Sequence, residues 1–291
     1  MPELPEVETV RSGLAALLPG HVITDVDFDW PKGFPNDPIA VKEFVIGAKV
    51  IDVRRRAKVL LIDLDTDYTL VIHLKMTGQL VYRSATEKFG AGHPNDSLIG
   101  ELPDKSTRVT LTLNGAKLFF NDQRKFGWVK VLPTDEVMEM SFFKKVGPEP
   151  LDPQFMPSDF IKRLDRRSNS GIKAVLLDQS VIAGVGNIYA DESLWAAKIH
   201  PLTKVGDLSK LRLTKLYNEL RHVLQLAIDK GGSSDRNYVN AEGKKGSYMD
   251  FAKVFRLEGQ PCPRCGRIIE KTRVAGRGTH VCLNCQKKPK V

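Results

Sequence analysis

The first residues of the chain carry its most reactive chemistry. Pro2 follows the initiator methionine, and a small second residue favours removal of Met1. Processing then exposes a secondary amine, and because an α-amino group titrates near pH 8, at about 7.7–8.0, part of it is uncharged at neutral pH. Glu3 places a carboxylic acid beside that amine. The pair therefore predicts an imine-forming nucleophile with an acid next to it, although an ordinary disordered terminus would begin in the same way.

A second group of chemically capable residues lies at the other end of the chain. It consists of all four cysteines, at Cys262, Cys265, Cys282 and Cys285. The spacing Cys-x2-Cys-x16-Cys-x2-Cys is typical of four thiolates around one zinc ion. Two disulfides are the alternative, but a reducing cytosol argues against them. Because four protein ligands leave zinc no open position, we expect a structural metal and not a catalytic one.

The charge balance favours a polyanionic partner. The chain has 44 Lys and Arg against 35 Asp and Glu, which gives a net charge of +9. Segment 262–291 is especially basic, with eight Lys or Arg and one acid, so we expect it to contact DNA phosphates. A terminal zinc knuckle that only stabilises its own domain is the alternative. The sequence has no long apolar run and no basic-then-apolar leader, which predicts a cytosolic protein without a membrane segment.

Hydrophobic periodicity predicts an α+β protein of several domains. Residues 3–18 have helical spacing, and residues 21–132 consist of short alternating strands separated by glycines, typical of a β-sandwich or barrel. The prolines at 147–153 indicate a linker. Residues 157–230 are helical in pattern, with the clearest helix at 207–230, and the polar stretch 233–246 is typical of a mobile loop.

Two shorter motifs are compatible with phosphate binding. Gly184-Val185-Gly186-Asn187 precedes a predicted helix at 188–197, where backbone amides and the helix N-terminus favour an anion; a tight turn between packed helices has the same pattern. Together with a helix near 171–178, this motif indicates a helix–two-turn–helix unit. Arg54-Arg55-Arg56-Ala57-Lys58 precedes a predicted strand at 58–64 and indicates either a phosphate contact or a solvated face.

These segments, in this order, resemble the bacterial formamidopyrimidine-DNA glycosylases over nearly the whole chain. The motifs that carry the resemblance are Pro-Glu-Leu-Pro-Glu-Val-Glu-Thr-Val at 2–10, Arg-Arg-Arg-x-Lys at 54–58, His-Leu-x-Met-x-Gly at 73–78, Asp-x-Arg-x-Phe-Gly at 122–127, Ala-Gly-x-Gly-Asn-Ile-Tyr at 183–189, and the four-cysteine segment with Arg277. The resemblance implies a catalytic β-sandwich with a leading helix at 1–133, a linker at 134–153, a helix–two-turn–helix DNA-binding domain at 154–256 with a lesion-capping loop at about 232–249, and a zinc-finger hairpin at 257–291.

The resemblance also implies a mechanism. The family excises oxidised purines, notably 8-oxoguanine opposite cytosine and formamidopyrimidines, and then nicks the strand by β,δ-elimination. Pro2 would attack C1′ of the damaged nucleotide and form a Schiff base, while Glu3 protonates the sugar ring oxygen. Lys58 matches the lysine assigned to phosphate contact and proton transfer in β-elimination. Arg277 matches the zinc-hairpin arginine that grips phosphate and is tied to δ-elimination. Glu6 resembles a supporting acid, with a partner of the helix dipole as the alternative.

The lesion must leave the base stack before it can react, and the vacated space needs filling. Met76, Arg124 and Phe126 match the family's filling residues, and Arg124 would hydrogen-bond the orphan cytosine. Ordinary core packing is the alternative, above all for Met76, which shares the alternation of Leu70 and Leu74. By the same resemblance Asn187 contacts DNA. The expected partner is duplex DNA with oxidised purines or abasic sites, bound by a monomer.

The chain departs from the family pattern at one segment. Members usually carry a His-x-His-Val segment where this chain has Lys105-Ser106-Thr107-Arg108-Val109, and residues 90–96 are extra. We expect Lys105, Arg108 or His93 to take over the missing phosphate contact.

Two other functions compete with the purine glycosylase. One is the endonuclease VIII type, which removes oxidised pyrimidines and usually begins Pro-Glu-Gly-Pro-Glu, whereas this chain begins Pro-Glu-Leu-Pro-Glu. The other is a non-catalytic zinc protein that binds damaged or bent DNA and needs no free proline amine.

Overall fold

The computed structural model describes residues 2–93, 95–233 and 247–289, arranged in two compact units. One unit contains Met1–Lys144 and Lys230–Tyr248, and the other contains Lys145–Asp229 and Met249–Val291. The predicted mobile loop at 233–246 and most of the predicted capping loop at 232–249 lie outside the described residues. The four-part division at 1–133, 134–153, 154–256 and 257–291 stays a prediction, since the helices and the cysteine segment share one compact unit.

The first unit contains a β-sandwich, as predicted. Its strands are β1 Ile23–Phe28, β2 Val50–Arg56, β3 Val59–Leu64, β4 Tyr68–His73, β5 Gly78–Ser84, β6 Lys88–Gly92, β7 Thr107–Leu113, β8 Ala116–Asp122 and β9 Trp128–Pro133. They form a five-stranded sheet in the order β1-β7-β8-β5-β6 and a four-stranded sheet in the order β2-β3-β4-β9, with antiparallel neighbours throughout. Apolar side chains from both sheets share one buried cluster, which is how two sheets of a sandwich form a core.

The leading helix, α1 Leu4–Ala15, closes one side of this core. Val7, Val10 and Leu14 are fully buried in the same cluster as the strands, in agreement with their helical spacing. Strand β6 packs against this helix, and Phe89 lies so close to Gly13 that any Cβ at residue 13 would overlap its ring. Strand β6 therefore forms an edge of the five-stranded sheet and supports the helix that follows the predicted nucleophile.

The beginning of the predicted linker packs on the outer face of the four-stranded sheet. A 3₁₀ segment at Thr134–Glu139 and helix α3 Ser141–Lys145 bring Val137 and Phe143 onto β3 and β4. These strands are covered on both faces, which explains why β3 is buried at every position and does not alternate. This unit also contains a short helix, α2 Pro38–Phe44, and 3₁₀ turns at Pro31–Gly33 and Asp96–Leu98.

The second unit is helical and ends in a hairpin. Its helices are α4 Pro157–Asp165, α5 Ile172–Leu177, α6 Asn187–Ala196 and α7 Lys210–Asp229, followed by α8 Tyr248–Phe251 at its boundary and by the antiparallel strands β10 Glu270–Val274 and β11 Arg277–Val281. Helix α6 packs against both α7 and β11. Helices α5 and α6 flank the glycine-rich turn as the sequence predicts. Among the described residues, no helix has the length and apolarity needed to cross a membrane.

Candidate active site and DNA-contact residues

The predicted nucleophile and acid lie directly before α1. Pro2 is buried, and Glu3 is the N-cap residue of the helix with only 5% of its surface exposed. The cap is reciprocal: the Glu3 side chain faces the backbone N–H of Glu6, and the Glu3 N–H donates to Glu6 Oε2 at 2.8 Å. The sequence Glu-Leu-Pro-Glu thus builds a capping box that fixes the backbone behind Pro2.

Glu6 holds two segments of the first unit together. Its Oε1 atom accepts hydrogen bonds from the backbone N–H and the hydroxyl of Ser233, at 2.8 and 2.9 Å. Gly232, at φ +82°, lies against the same carboxylate. Glu6 therefore joins the N-terminus to the first described residues of the predicted capping loop, besides acting as the N3 residue of the capping box. The sequence indicated an acid or a helix-dipole partner and gave no sign of this connection.

Lys58 lies in a two-residue hairpin loop between β2 and β3, where Arg56 pairs with Val59. It is 6% exposed. The basic cluster before it supports this loop: Arg55 Nε binds Glu8 Oε2 at 2.7 Å, and Arg55 Nη1 donates to Ala57 O at 2.8 Å. Ala57 has φ +54°, so the turn is held in a conformation that L-residues rarely adopt.

Arg54 is also engaged within the sandwich, through a two-point ion pair with Asp63. The hydrogen bond to Asp63 raises the pKa of Arg54 against the effect of burial. Arg54 and Arg55 thus both have carboxylate partners inside the domain. This arrangement favours a role in shaping the Lys58 loop over a simple solvated face.

His73 is a buried imidazole near Lys58. Burial, followed by the positive charges of Lys75 and Lys58, lowers the pKa of His73 to about 3, so that the ring is neutral. Its Nδ1 atom accepts the backbone N–H of Lys75 at 3.0 Å, and Trp128 and Phe142 pack around it. His73 thereby fixes the start of the turn that carries Met76.

This shift predicts acid destabilisation. The pKa of His73 is lower in the folded chain than its ordinary value of 6.5, so the unfolded chain takes up a proton at this residue before the folded chain does. The free energy of unfolding is therefore unaffected by His73 above pH 6.5 and decreases as the pH falls from 6.5 toward about 3. Within that window one proton taken up on unfolding costs about 1.4 kcal/mol of stability per pH unit. We expect His73→Asn, whose Oδ1 can accept the Lys75 N–H, to flatten this dependence by one proton. Urea unfolding from pH 4 to 8 measures it, with the pH 8 difference as the packing baseline; an unchanged slope would contradict the assignment.

The three predicted filling residues are all exposed and lie in two neighbouring turns. Met76 is 36% exposed and Phe126 52% exposed, and Arg124 is exposed as well, with its guanidinium 4.7 Å from the centre of the Phe126 ring. Strand β4 ends at His73, and Lys75 at φ +50° turns the chain before Met76. The core-packing alternative for Met76 and Phe126 is therefore wrong.

The segment at 105–109, where the resemblance led us to expect histidines, stabilises the sandwich. Arg108 is 6% exposed and donates to a carboxylate oxygen of Asp29 and to the backbone carbonyls of Lys105 and Asp122. Its side chain is committed to the domain, which disfavours the expected phosphate contact for this residue. Lys105 is exposed, and His93 is half-buried, with a pKa lowered first by burial.

In the second unit, Asn187 contacts the cysteine hairpin at the residue that follows Arg277. Asn187 begins α6, and its Nδ2 atom donates to Gly278 O at 2.9 Å, next to Arg277 at the start of β11. The Oδ1 atom of Asn187 has no hydrogen-bond partner within the part of the chain that the structure describes. The glycine-rich turn and the tip of the cysteine hairpin are thus one surface.

A buried ion pair that sequence reasoning missed supports this surface. Lys173 and Asp191 are both fully buried, 2.6 Å apart. The Lys173 ammonium also donates to Thr279 Oγ1 at 2.6 Å, and Asp191 Oδ2 accepts the backbone N–H of His280 at 2.9 Å. Only the charge of Lys173 within the apolar run Ile-Lys-Ala-Val-Leu-Leu could have signalled it.

The four cysteines form one cluster, as their spacing predicts. Their Sγ atoms all lie within 4.8 Å of one another, with Cys262 and Cys285 3.9 Å and Cys265 and Cys282 3.5 Å apart. Four sulfurs at about 2.3 Å from a tetrahedral zinc would be separated by similar distances, so the cluster fits this metal. The indole N–H of Trp195 points at Cys262 Sγ from 3.4 Å, which ties the cluster to α6.

Comparison with known proteins agrees with this architecture. Three family models match: the formamidopyrimidine-DNA glycosylase N-terminal domain at residues 1–129, the formamidopyrimidine-DNA glycosylase H2TH domain at 146–238, and the zinc finger found in FPG and IleRS at 259–288. A formamidopyrimidine-DNA glycosylase of Pelotomaculum thermopropionicum is 41% identical, with 99% of each chain covered.

Solved structures of the Lactococcus lactis FPG protein are similar over the whole chain. A mutant bound to Fapy-dG containing DNA has a TM-score of 0.87, and the wild type bound to oxidised pyrimidine containing DNA has a TM-score of 0.85. Each is 35% identical and covers 99% of this chain and 100% of its own.

The sandwich, the paired helices and the cysteine hairpin define the class of zinc-finger DNA glycosylases, enzymes of base excision repair. The relative from Pelotomaculum thermopropionicum, 41% identical with 99% of each chain covered, narrows this class to one family. The chain belongs to the formamidopyrimidine-DNA glycosylase family, which confirms the resemblance drawn from its motifs.

Proposed function

We propose that this protein is a bifunctional glycosylase and abasic-site lyase that excises oxidised purines from duplex DNA through an imine at Pro2. The observation that carries the proposal is the capping box behind Pro2, which combines a buried N-terminal proline, Glu3 and Glu6 in a chain of this family. Because the cap fixes the backbone at Glu3, the nucleophile and the acid keep a constant relation to each other.

In the proposed reaction, the neutral amine of processed Pro2 attacks C1′ and the damaged base leaves with the glycosidic electron pair. The nitrogen proton then passes to the departing base. Glu3 protonates the ring oxygen as the bond between C1′ and that oxygen breaks, and the nitrogen lone pair completes the iminium. The iminium acidifies the C2′ hydrogen; loss of that proton expels the 3′ phosphate, and a second elimination expels the 5′ phosphate. Lys58 contacts phosphate and transfers a proton in the first elimination, and Arg277 holds phosphate during the second. Glu6 supports the acid through the capping box.

The DNA is held open by the exposed turns of the sandwich. Met76 and Phe126 replace the stacking that the extruded nucleotide gives up, and Arg124 donates to the orphan base. Asn187 binds the carbonyl of Gly278, the residue after Arg277, and both Asn187 and Arg277 contact the phosphate backbone in the proposed complex. In this proposal the glycine-rich turn and the basic hairpin bind the same stretch of DNA backbone.

The cysteine cluster is proposed to hold one zinc ion. Cys262, Cys265, Cys282 and Cys285 would be its ligands, and the ion would fix the hairpin that presents Arg277. Its role is structural because the four thiolates fill the coordination sphere. We further propose that the protein acts as a monomer in the cytosol, where the bacterial chromosome is its substrate.

Borohydride trapping tests the proposed chemistry. The processed protein is incubated with an abasic-site duplex and borohydride, and the expected result is a covalent adduct that maps to Pro2. Parallel single-turnover assays compare 8-oxoguanine opposite cytosine with thymine glycol, and faster release of 8-oxoguanine is expected. Faster release of thymine glycol would favour the endonuclease VIII type. Tight binding without an adduct would leave a DNA-binding protein and refute the proposal.

A further inference from the structure

A fully buried carboxylate lies beneath the exposed filling residues. Asp122 ends β8 with none of its surface exposed. Its Oδ2 atom accepts the backbone N–H groups of Phe126 and Gly127 at 2.8 and 2.7 Å, and its Oδ1 atom accepts that of Arg124 at 3.2 Å. A buried charge is costly unless hydrogen bonds satisfy it. The backbone of the loop from Arg124 to Gly127 therefore supplies three of the hydrogen bonds that satisfy the Asp122 carboxylate.

The same carboxylate reaches the turn that carries Met76. The hydroxyl of Thr77 donates to Asp122 Oδ1, and the backbone N–H of Arg124 lies 3.1 Å from that hydroxyl oxygen. Thr77 is itself 8% exposed. Asp122 and Thr77 thus form the direct hydrogen-bonded link between the two turns, directly below three exposed side chains.

The surrounding backbone leaves Asp122 little freedom. Its N–H donates to Ser106 O at 2.7 Å, and its carbonyl accepts Arg108 Nε at 2.9 Å. Ser106 and Arg108 belong to the segment in which this chain lacks the family's histidines. Gly127 fits because a Cβ there would stand 2.6 Å from the Phe120 ring and 3.1 Å from Asp122 Oδ2. The backbone of Asp122 is therefore held by Ser106 and Arg108, while its carboxylate oxygens hold the Met76 turn and the Arg124–Gly127 loop.

We propose that Asp122 and Thr77 are positioning residues for recognition of the base opposite the lesion. Their contact joins the Met76 turn and the Arg124–Phe126 loop into one preassembled unit. The Arg124 guanidinium is therefore held in a fixed position relative to the orphan base, while Met76 and Phe126 occupy the space left by the extruded nucleotide. This inference rests on the proposed function and deepens it, because it assigns opposite-base specificity to two residues that touch no DNA.

The physical reason is the geometry of discrimination. Arg124 distinguishes cytosine from adenine only if its donors stand where the acceptors of cytosine lie, and a loop free to shift by about 1 Å would lose that preference. The guanidinium stacks on Phe126 within its own loop, so it depends on the loop backbone for its position. That backbone is held by Asp122, and the relation to Met76 is held by Thr77.

Two substitutions at Thr77 test the inference. Thr77→Val removes the hydroxyl and nearly keeps the shape, whereas Thr77→Ser keeps the hydroxyl. Single-turnover excision is measured with 8-oxoguanine opposite cytosine and opposite adenine. Because the lost hydrogen bond is buried and made to a charged group, we expect Thr77→Val to reduce the cytosine-to-adenine rate ratio by about tenfold. Thr77→Ser should stay within about threefold of the wild type.

Further measurements separate positioning from damage to the fold. A single-stranded abasic oligonucleotide has no opposite base, so Thr77→Val should cleave it at the wild-type rate. Asp122→Asn keeps the side-chain shape and an acceptor for Phe126 and Gly127 but not for Arg124, and it should follow Thr77→Val. An unchanged rate ratio in Thr77→Val would overturn the inference, and so would an equal loss on single-stranded and duplex substrates. A wild type that traps no adduct would refute the proposed function, and the inference with it.

Discussion

Protein whose Pro2 nitrogen is blocked should lose excision by roughly 10³-fold or more, since it has no nucleophile to form the imine. The cleanest block is one glycine inserted before Pro2, which turns the amine into an amide and leaves every other residue in place. The measurement is single-turnover release of 8-oxoguanine together with borohydride trapping, after mass spectrometry has verified the N-terminus of each protein.

The matched control is Pro2→Gly, which keeps a primary amine at the same position and should retain trapping at a reduced rate. Affinity for a duplex with an uncleavable abasic analogue should change little in the blocked protein, because the filling residues and the phosphate contacts are intact. Full-speed cleavage by protein that carries the extra residue would contradict the role of Pro2.

Loss of the metal should abolish tight DNA binding. Structural zinc contributes roughly 10–16 kcal/mol in finger peptides, more than a short hairpin can replace. Cys282→Ser or a strong chelator should therefore unfold residues 257–289 and release Arg277, while the sandwich stays folded. We expect the DNA dissociation constant to rise by at least about 100-fold, measured by fluorescence anisotropy at fixed salt.

Trp195 provides an internal reporter for this experiment. Its indole contacts Cys262 and stacks under Arg264 at 3.8 Å, so its fluorescence should change when the cluster opens. Arg277→Ala is the control: it should keep its zinc and the Trp195 signal while losing a phosphate contact, and bind DNA more weakly than the wild type but more tightly than the chelated protein. Unchanged affinity after verified metal removal would show that the hairpin is not needed for binding.

The parts of the site that are local in sequence could be predicted from it. The capping box needs only Glu3 and Glu6, three residues apart, and the cysteine cluster needs only its spacing. The helices α6 and α7 differ from their predicted bounds by a few residues, because helix ends depend on caps and not on the buried face.

The parts that depend on long-range pairing could not be predicted. Alternation through Leu70, Ile72 and Leu74 continued to Met76, but the strand ends at His73 because Lys75 adopts a positive φ, and so Met76 is exposed. Nothing near Arg55 in sequence identifies Glu8 as its partner, since helix α1 and strand β2 must first pack together. Asp122 appeared in a motif, yet its function depends on a hydroxyl 45 positions away.

The contacts of the Gly278 carbonyl limit which segments can be exchanged between related proteins. This carbonyl receives Asn187 from the helix start and lies 3.4 Å from the ammonium of Lys173, whose counter-ion Asp191 also holds the backbone of the hairpin. The Lys173 ammonium also donates to the hydroxyl of Thr279, so a transplanted hairpin that lacks this hydroxyl, or whose backbone follows another path, would leave the buried ion pair short of hydrogen bonds. The cysteine hairpin and the helices α5 and α6 that carry Lys173, Asn187 and Asp191 would therefore have to be exchanged together, and a change in any one of them constrains the others.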